Sequence, residues 1–320
     1  MKAWQFTGTN KPLELNEVPE PTAGPGQVVV TVRVAGVCHS DVSALDDEGW
    51  MGLFPTLPRT MGHENAGVIT EVGEGMDHWK VGDRVGLAPM FSDGDALGYG
   101  KWDGGFGPKL LATDDNLVKL PDEVSFELGA MATDAGLTAY HAIMTLGEVK
   151  KGTKVGVIGL GGLGYIGARV AVLSGAEVYG ADLSLAAREL ADEIGLAGVG
   201  ESIEEFADKG LEVVVDYAGF GVTTESGVNA LSKFGVFVQV GMGKLEARLD
   251  TLQLITKQLT VKGSNSGTKE DLENLYELMR SGDLNPPVNL ITHAEIPEAI
   301  DRLREGGVVG RLIAVYDEAQ

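Results

Sequence analysis

The stretch KVGVIGLGGLGYIGARVAVLSGAEVYGAD, residues 154–182, decides the fold. It opens on an apolar run, 154–158, that reads as a buried strand. It then turns on Gly159, Gly161 and Gly164, a G-x-G-x-x-G whose other positions include Gly162 and Leu163. Leu163, Ile166, Gly167, Val170 and Leu173 follow at helical spacing. A second strand, 177–181, ends at Asp182, 23 residues after Gly159. The spacing has a physical reading. Gly159 permits a tight turn, Gly161 lets backbone approach a pyrophosphate, and Gly164 lets helix and strand pack closely. The free N–H groups at the helix start face the phosphates. An acid at Asp182 accepts both hydroxyls of an adenosine ribose. A bare glycine pattern is weak in a chain with 46 glycines. Strand, glycines, helix, strand and acid in register are much stronger.

Composition narrows the rest. At 320 residues the chain is expected to form about two domains, each with its own core. Apolar content of 43% and charged content of 22% suit a soluble globular protein. A net charge of −22 argues against nucleic-acid or membrane partners. Apolar runs are only strand-length, and the N-terminus, MKAWQFTGTNKPLEL, lacks a signal-peptide apolar region. The single cysteine, Cys38, excludes an intrachain disulfide and fits a reducing, cytoplasmic setting.

The chain divides in texture. Residues 1–120 are β-rich, with strands expected at 1–6, 13–18, 27–37, 67–72, 84–88 and 117–120. CHSDVSALDD, 38–47, reads as one or two helical turns, and the glycine-rich 90–108 as an irregular loop. A helical segment is expected over 125–145. Past Lys151 strands and helices alternate, as in a doubly wound parallel sheet, with a helix expected over 184–194 and Ser184 as its N-cap. Helices at 269–280 and 296–305 and strands at 288–292 and 309–316 complete the pattern.

A second constellation lies early in the chain. Cys38 sits in C-H-S-D, and His63 sits in G-H-E, 25 residues on. Thiolate and imidazole suit zinc. A lone cysteine is most often a small buried hydrophobe, and a lone histidine is more often structural than a ligand. Beside a nicotinamide-type domain the pair gains weight, because zinc acts as a Lewis acid on an oxygen while the cofactor moves hydride.

The set C-H-S-D (38–41), G-H-E-N-A-G (62–67), V-G-D-R-V (81–85), A-G-L-T-A-Y (135–140) and G-L-G-G-L-G (159–164) resembles the zinc-dependent alcohol dehydrogenases of the medium-chain dehydrogenase/reductase superfamily. The resemblance runs over essentially the whole chain. It implies a GroES-like β-rich catalytic domain over 1–136, a Rossmann NAD-binding domain over 137–267, and a return to the catalytic domain over 268–320. It implies Cys38 and His63 as zinc ligands, with Asp134 where relatives carry a ligand cysteine; a helix cap is the rival role for Asp134. Glu64 resembles a glutamate that approaches the metal during exchange, Asp41 a carboxylate that orients the ligand histidine, and Ser40 the hydroxyl that relays the proton. His39 is a candidate for proton transfer or phosphate contact. Gly159, Gly161, Gly162, Leu163, Gly164 and Asp182 bind NAD, with Thr138 and Leu163 beside the nicotinamide and Arg311 reaching the pyrophosphate.

Two departures follow. One cysteine cannot supply the four-thiolate structural zinc of many relatives, so one catalytic zinc per chain is expected. Ser43 stands where relatives end the proton relay on a histidine. The expected substrate is a small alcohol, aldehyde or ketone, with Trp50, Leu57, 87–91 and Trp102 as apolar pocket candidates, and the expected assembly a homodimer or homotetramer. The alternatives are a zinc-free quinone or enone reductase of the same superfamily and a non-catalytic dinucleotide-binding protein.

Overall fold

A computed structural model describes residues 1–316. The chain divides into two compact units. Ala135–Asp271 forms one, and Met1–Asp134 with Leu272–Gln320 forms the other.

The continuous unit is built on a parallel six-stranded sheet. Its spatial order is Gly198–Gly200, Glu177–Ala181, Lys154–Ile158, Leu211–Asp216, Leu231–Gln239, Thr260–Gly263. The central runs are rich in valine because both faces are covered. Val155, Val157, Val214 and Val215 are fully buried. The strand order reverses at Lys154–Ile158, so the loop that follows it opens where such sheets take ligands. The helix Gly162–Leu173 covers this region, burying Ile166, Ala168, Val170 and Ala171. This is the Rossmann arrangement. The helix expected over 184–194 is instead two short ones, Leu185–Arg188 and Ala191–Ile194. Only Ala187 and Ile194 are buried there, so no continuous apolar stripe holds a single helix together.

The divided unit is β-rich. Glu14–Glu17, Lys2–Phe6 and Arg59–Thr60 form a small antiparallel sheet. A larger sheet runs Val288–Thr292, Arg311–Val315, Val28–Val37, Glu64–Val72, Arg84–Leu87, Leu117–Lys119. Lys109–Ala112 pairs beside Val28–Val37, a strand not expected from its glycine- and proline-flanked sequence. Val28–Val37 is the hub, since Arg311–Val315 and Glu64–Val72 lie antiparallel to it on either side. The return segment is thus integral to the sheet. Its helices bury residues at helical spacing: Leu272, Leu275, Tyr276 and Met279 in one, Ile296, Ala299, Ile300 and Leu303 in the other.

The helical run over 126–146 begins at Phe126, where the Ser125 hydroxyl accepts the Leu128 N–H at 3.3 Å. It widens to π-helical geometry at Ala132–Gly136 and again at His141–Leu146. Among the described residues no helix is long and apolar enough to cross a membrane.

One polar cluster ties the two ends of the Rossmann unit. Asp271 is buried and accepts from Thr145 Oγ1 at 2.5 Å, His141 Nδ1 at 2.7 Å, and the Thr268 hydroxyl and N–H at 2.8 and 2.9 Å. Burial pushes its carboxyl up, but these donors outweigh burial and hold it below the usual range. The folded state therefore binds this proton more weakly than the unfolded chain. The stabilisation is complete above about pH 5 and fades as pH falls below about 4. Asp271→Ala should cost about 1.5–3 kcal/mol near neutrality. Denaturant melts should show a shallower acid-side loss of stability in the variant. Parallel pH curves for the two proteins would exclude this role.

Candidate metal centre and cofactor loop

Cys38 stands at a corner. The central strand ends at Val37, and the helix His39–Asp46 starts at once, with Cys38 as its N-cap. Asp41, in the first turn, is fully buried and accepts the Cys38 N–H at 2.9 Å. Across the sheet, His63 and Glu64 open the strand Glu64–Val72 after Gly62, whose φ is +95°. Asp134 comes from the π-helical turn Ala132–Gly136. It lies inside the helical run, not at its start, so it does not cap a helix beginning at Ala135. Widened turns of this kind re-aim a side chain and recur at functional sites.

These elements bring four donor residues together. One ligand atom from each of Cys38, His63, Glu64 and Asp134 lies within 4.8 Å of the others. Cys38 Sγ and His63 Nε2 each stand 3.5 Å from Asp134 Oδ2. Ligands on one tetrahedral zinc are about 3.3–3.8 Å apart, so Cys38, His63 and Asp134 fit such an ion. The other ring nitrogen, His63 Nδ1, is buried without a hydrogen bond and points to Asp41 Oδ1 at 3.5 Å. Metal-ligating histidines commonly have a carboxylate on the side of the ring away from the ion.

The electrostatics also fit a dication. Glu64 is fully buried and bidentate with Arg311, Nε to Oε2 at 2.9 Å and Nη2 to Oε1. Arg311, 6% exposed, also approaches Asp134 Oδ2 at 3.5 Å. The pair neutralises itself, leaving Cys38 and Asp134 to balance a double charge. Burial pushes the Cys38 thiol up, but Arg311 outweighs it with help from His63 and holds the thiol below its usual value. Burial pushes His63 down, yet the Asp41 and Asp134 carboxylates carry it well above the usual imidazole range. The pocket is poised to hold positive charge.

The other expected residues are placed as follows. Ser40 Oγ stands 3.3 Å from His63 Nε2. His39 is exposed at the helix start, and Ser43 donates to its carbonyl at 3.2 Å. Arg311, expected at the cofactor pyrophosphate, has its guanidinium directed at Glu64 and Asp134. Of the pocket candidates, Leu87 is fully buried in the core, Trp50 is half-buried, and Phe91 and Trp102 stack at 4.7 Å. Sequence reasoning missed Tyr99, whose ring lies 5.1 Å from that of His63. The available signal was an aromatic with glycine on both sides inside an otherwise irregular loop.

The glycine loop fits a dinucleotide. Gly159 has φ +82°, and a Cβ on Gly164 would overlap the Gly159 carbonyl. Gly161 faces open space and leaves the helix start without a side-chain cap. Asp182 accepts the Leu160 N–H at 2.7 Å and the Ser184 N–H at 2.8 Å. Arg188 turns to the Asp182 carbonyl at 2.8 Å and to Glu201 at 3.1 Å. Gly162 and Leu163 begin the helix, and Thr138 is buried in the turn Leu137–Tyr140. Beyond the last strand, the Ser264 and Ser266 hydroxyls are buried without hydrogen-bond partners.

A Rossmann sheet with this loop, and a separate β-rich unit with a Cys-His-carboxylate cluster, define a metal-dependent dehydrogenase class. Residues 24–122 match the alcohol dehydrogenase GroES-like domain, and residues 162–281 match the zinc-binding dehydrogenase domain. The chain is 31% identical to an alcohol dehydrogenase of Geobacillus stearothermophilus, over 99% of this chain and 100% of that one. It is 29% identical to the NAD-dependent alcohol dehydrogenase of Sulfolobus acidocaldarius, over 98% and 99%. It superposes on the alcohol dehydrogenase from Aeropyrum pernix with a TM-score of 0.90 at 28% identity, covering 99% and 100%. The chain belongs to the zinc-type alcohol dehydrogenase family of the medium-chain dehydrogenase/reductase superfamily, and it is an enzyme.

The Glu64–Arg311 pair yields a direct prediction. Arg311→Met leaves a buried carboxylate unpaired and should cost about 3–5 kcal/mol. Adding Glu64→Gln should recover most of that loss. Thermal unfolding reads both, and a single variant as stable as the parent would remove the pair from the fold's support.

Proposed function

We propose that the protein is an NAD(H)-dependent alcohol dehydrogenase with one catalytic zinc per chain. The observation that carries this reading is the convergence of Cys38, His63 and Asp134 donor atoms beside a neutralised Glu64. When bound, zinc supplies a Lewis acid for an alcohol or carbonyl oxygen, and NAD supplies the hydride acceptor or donor. Cys38 Sγ, His63 Nε2 and a carboxylate oxygen of Asp134 would hold the ion, and Asp41 would orient His63. Glu64, held by Arg311, would stand beside the ion as a further carboxylate. Ser40 would accept the substrate proton at Oγ as its own hydroxyl proton leaves toward solvent, and in the reverse direction would give its proton to the substrate oxygen as it takes one from solvent. His39, exposed at the same helix start, passes protons to solvent or meets a phosphate. Gly159, Gly161, Gly162, Leu163 and Gly164 receive the pyrophosphate, and Asp182 the adenosine ribose. Leu163 and Thr138 would lie beside the nicotinamide. Substrates are small alcohols, aldehydes and ketones, and a thiolate ligand favours a reducing compartment.

Metal stoichiometry tests the centre. Asp134→Asn should lose most zinc and most kcat, because a neutral amide is a poor ligand. Asp134→Cys should keep the metal. Full zinc in Asp134→Asn, or two tightly held zincs in the parent, would contradict the assignment.

Cofactor choice tests the other site. The Asp182 carboxylate is fixed by two backbone N–H groups and repels a 2′-phosphate. Arg188 is engaged by Glu201 and does not offset it. kcat/KM should favour NAD over NADP by more than about tenfold, and Asp182→Gly should narrow the gap. Equal use of NADP by the parent enzyme would overturn the ribose assignment.

A further inference from the structure

We propose that Tyr99 is a positioning residue that sets the direction of the Ser40 hydroxyl. The inference rests on the reading of Ser40 as the proton carrier. Tyr99 comes from the glycine-rich loop, yet it is only 8% exposed. Gly98, at φ +75°, and Gly100, where a Cβ would overlap Asp95, shape the backbone around it. Its ring packs near Phe54 and Trp50, with centroids at 5.5 and 6.2 Å. That packing aims its hydroxyl at two atoms, Ser40 Oγ at 3.0 Å and Asp41 Oδ1 at 3.2 Å.

One phenolic proton faces two acceptors, so two arrangements exist. When Tyr99 donates to Asp41, Ser40 donates to the Tyr99 oxygen and presents its lone pairs outward. When Tyr99 donates to Ser40, the Ser40 proton is free to point outward. Asp41, as a carboxylate, only accepts in either case. No group changes charge between the two. An alcohol needs Ser40 as acceptor and a carbonyl needs it as donor, and Tyr99 lets one hydroxyl serve both directions. Phenylalanine preserves the packing and removes the switch.

The test uses the zinc-loaded enzyme and Tyr99→Phe. Zinc content and thermal midpoint should stay near the parent's, kcat should fall about tenfold, as for one lost hydrogen bond, and KM should move less than about twofold. Because Tyr99 acts through Ser40, the same change in a Ser40→Ala background should add less than about twofold. An independent readout is the Tyr99 signal in protein labelled with 13Cζ-tyrosine, identified by its loss in Tyr99→Phe. It should shift in Ser40→Ala and stay in Ser43→Ala. Fully additive losses in kcat, loss of zinc in Tyr99→Phe, or an unmoved Tyr99 signal in Ser40→Ala would each overturn the role. A Ser40→Ala enzyme with the parent's kcat would instead overturn the proton-carrier reading, and this inference with it.

Discussion

The buried ion pair between Glu64 and Arg311 is the constraint around which the β-rich unit is arranged. Its partners are 247 residues apart in sequence. Each enters from a strand flanking Val28–Val37, with Glu64 opposite Gly36 and Leu312 opposite Val37. Gly36 is required at that crossing, because a Cβ there would overlap the Glu64 carboxylate. A fully buried carboxylate without its cation is strongly destabilising. The return segment is therefore held to the first part of the chain by charge as well as by sheet pairing.

The same pair governs the chemistry of the cluster. Three acidic donors meet at one point, and three uncompensated charges would repel one another in a medium that screens them poorly. Arg311 removes one of the three from the balance. The remaining thiolate and carboxylate then carry two negative charges, the number that a divalent ion balances. Fold stability and the charge balance of the cluster thus share one guanidinium.

Regular structure brings these residues near, and irregular structure aims them. Cys38 occupies a strand-to-helix corner, Asp134 a widened helical turn, and Tyr99 a loop whose register is held by Asp95, which accepts the Ala96 and Lys101 N–H groups at 2.9 Å. The cofactor loop follows the same rule, with Gly159 in the left-handed region at the point where the strand order reverses. The surrounding strands and helices follow ordinary periodicity and bury ordinary side chains. Departures from it cluster where backbone must approach a ligand or turn a donor inward.

The sequence by itself determined the elements and the cofactor loop. Valine-rich runs, helical spacing and G-x-G-x-x-G are local patterns, and local patterns need no partner to be read. Cys38 and His63 were legible as candidates because thiolate and imidazole have few other uses near a dinucleotide fold. The place of Asp134 came only through resemblance, since no spacing rule marks a carboxylate on a π-helical turn. The missed strand Lys109–Ala112 and the broken helix after Ser184 were decided by sheet pairing and by the absence of a buried stripe. Tertiary structure alone placed Arg311 on Glu64 and Tyr99 on Ser40. Those contacts join residues 247 and 59 positions apart. Their geometry is set by how strands stack and where a loop folds back, which the order of residues along the chain does not reveal.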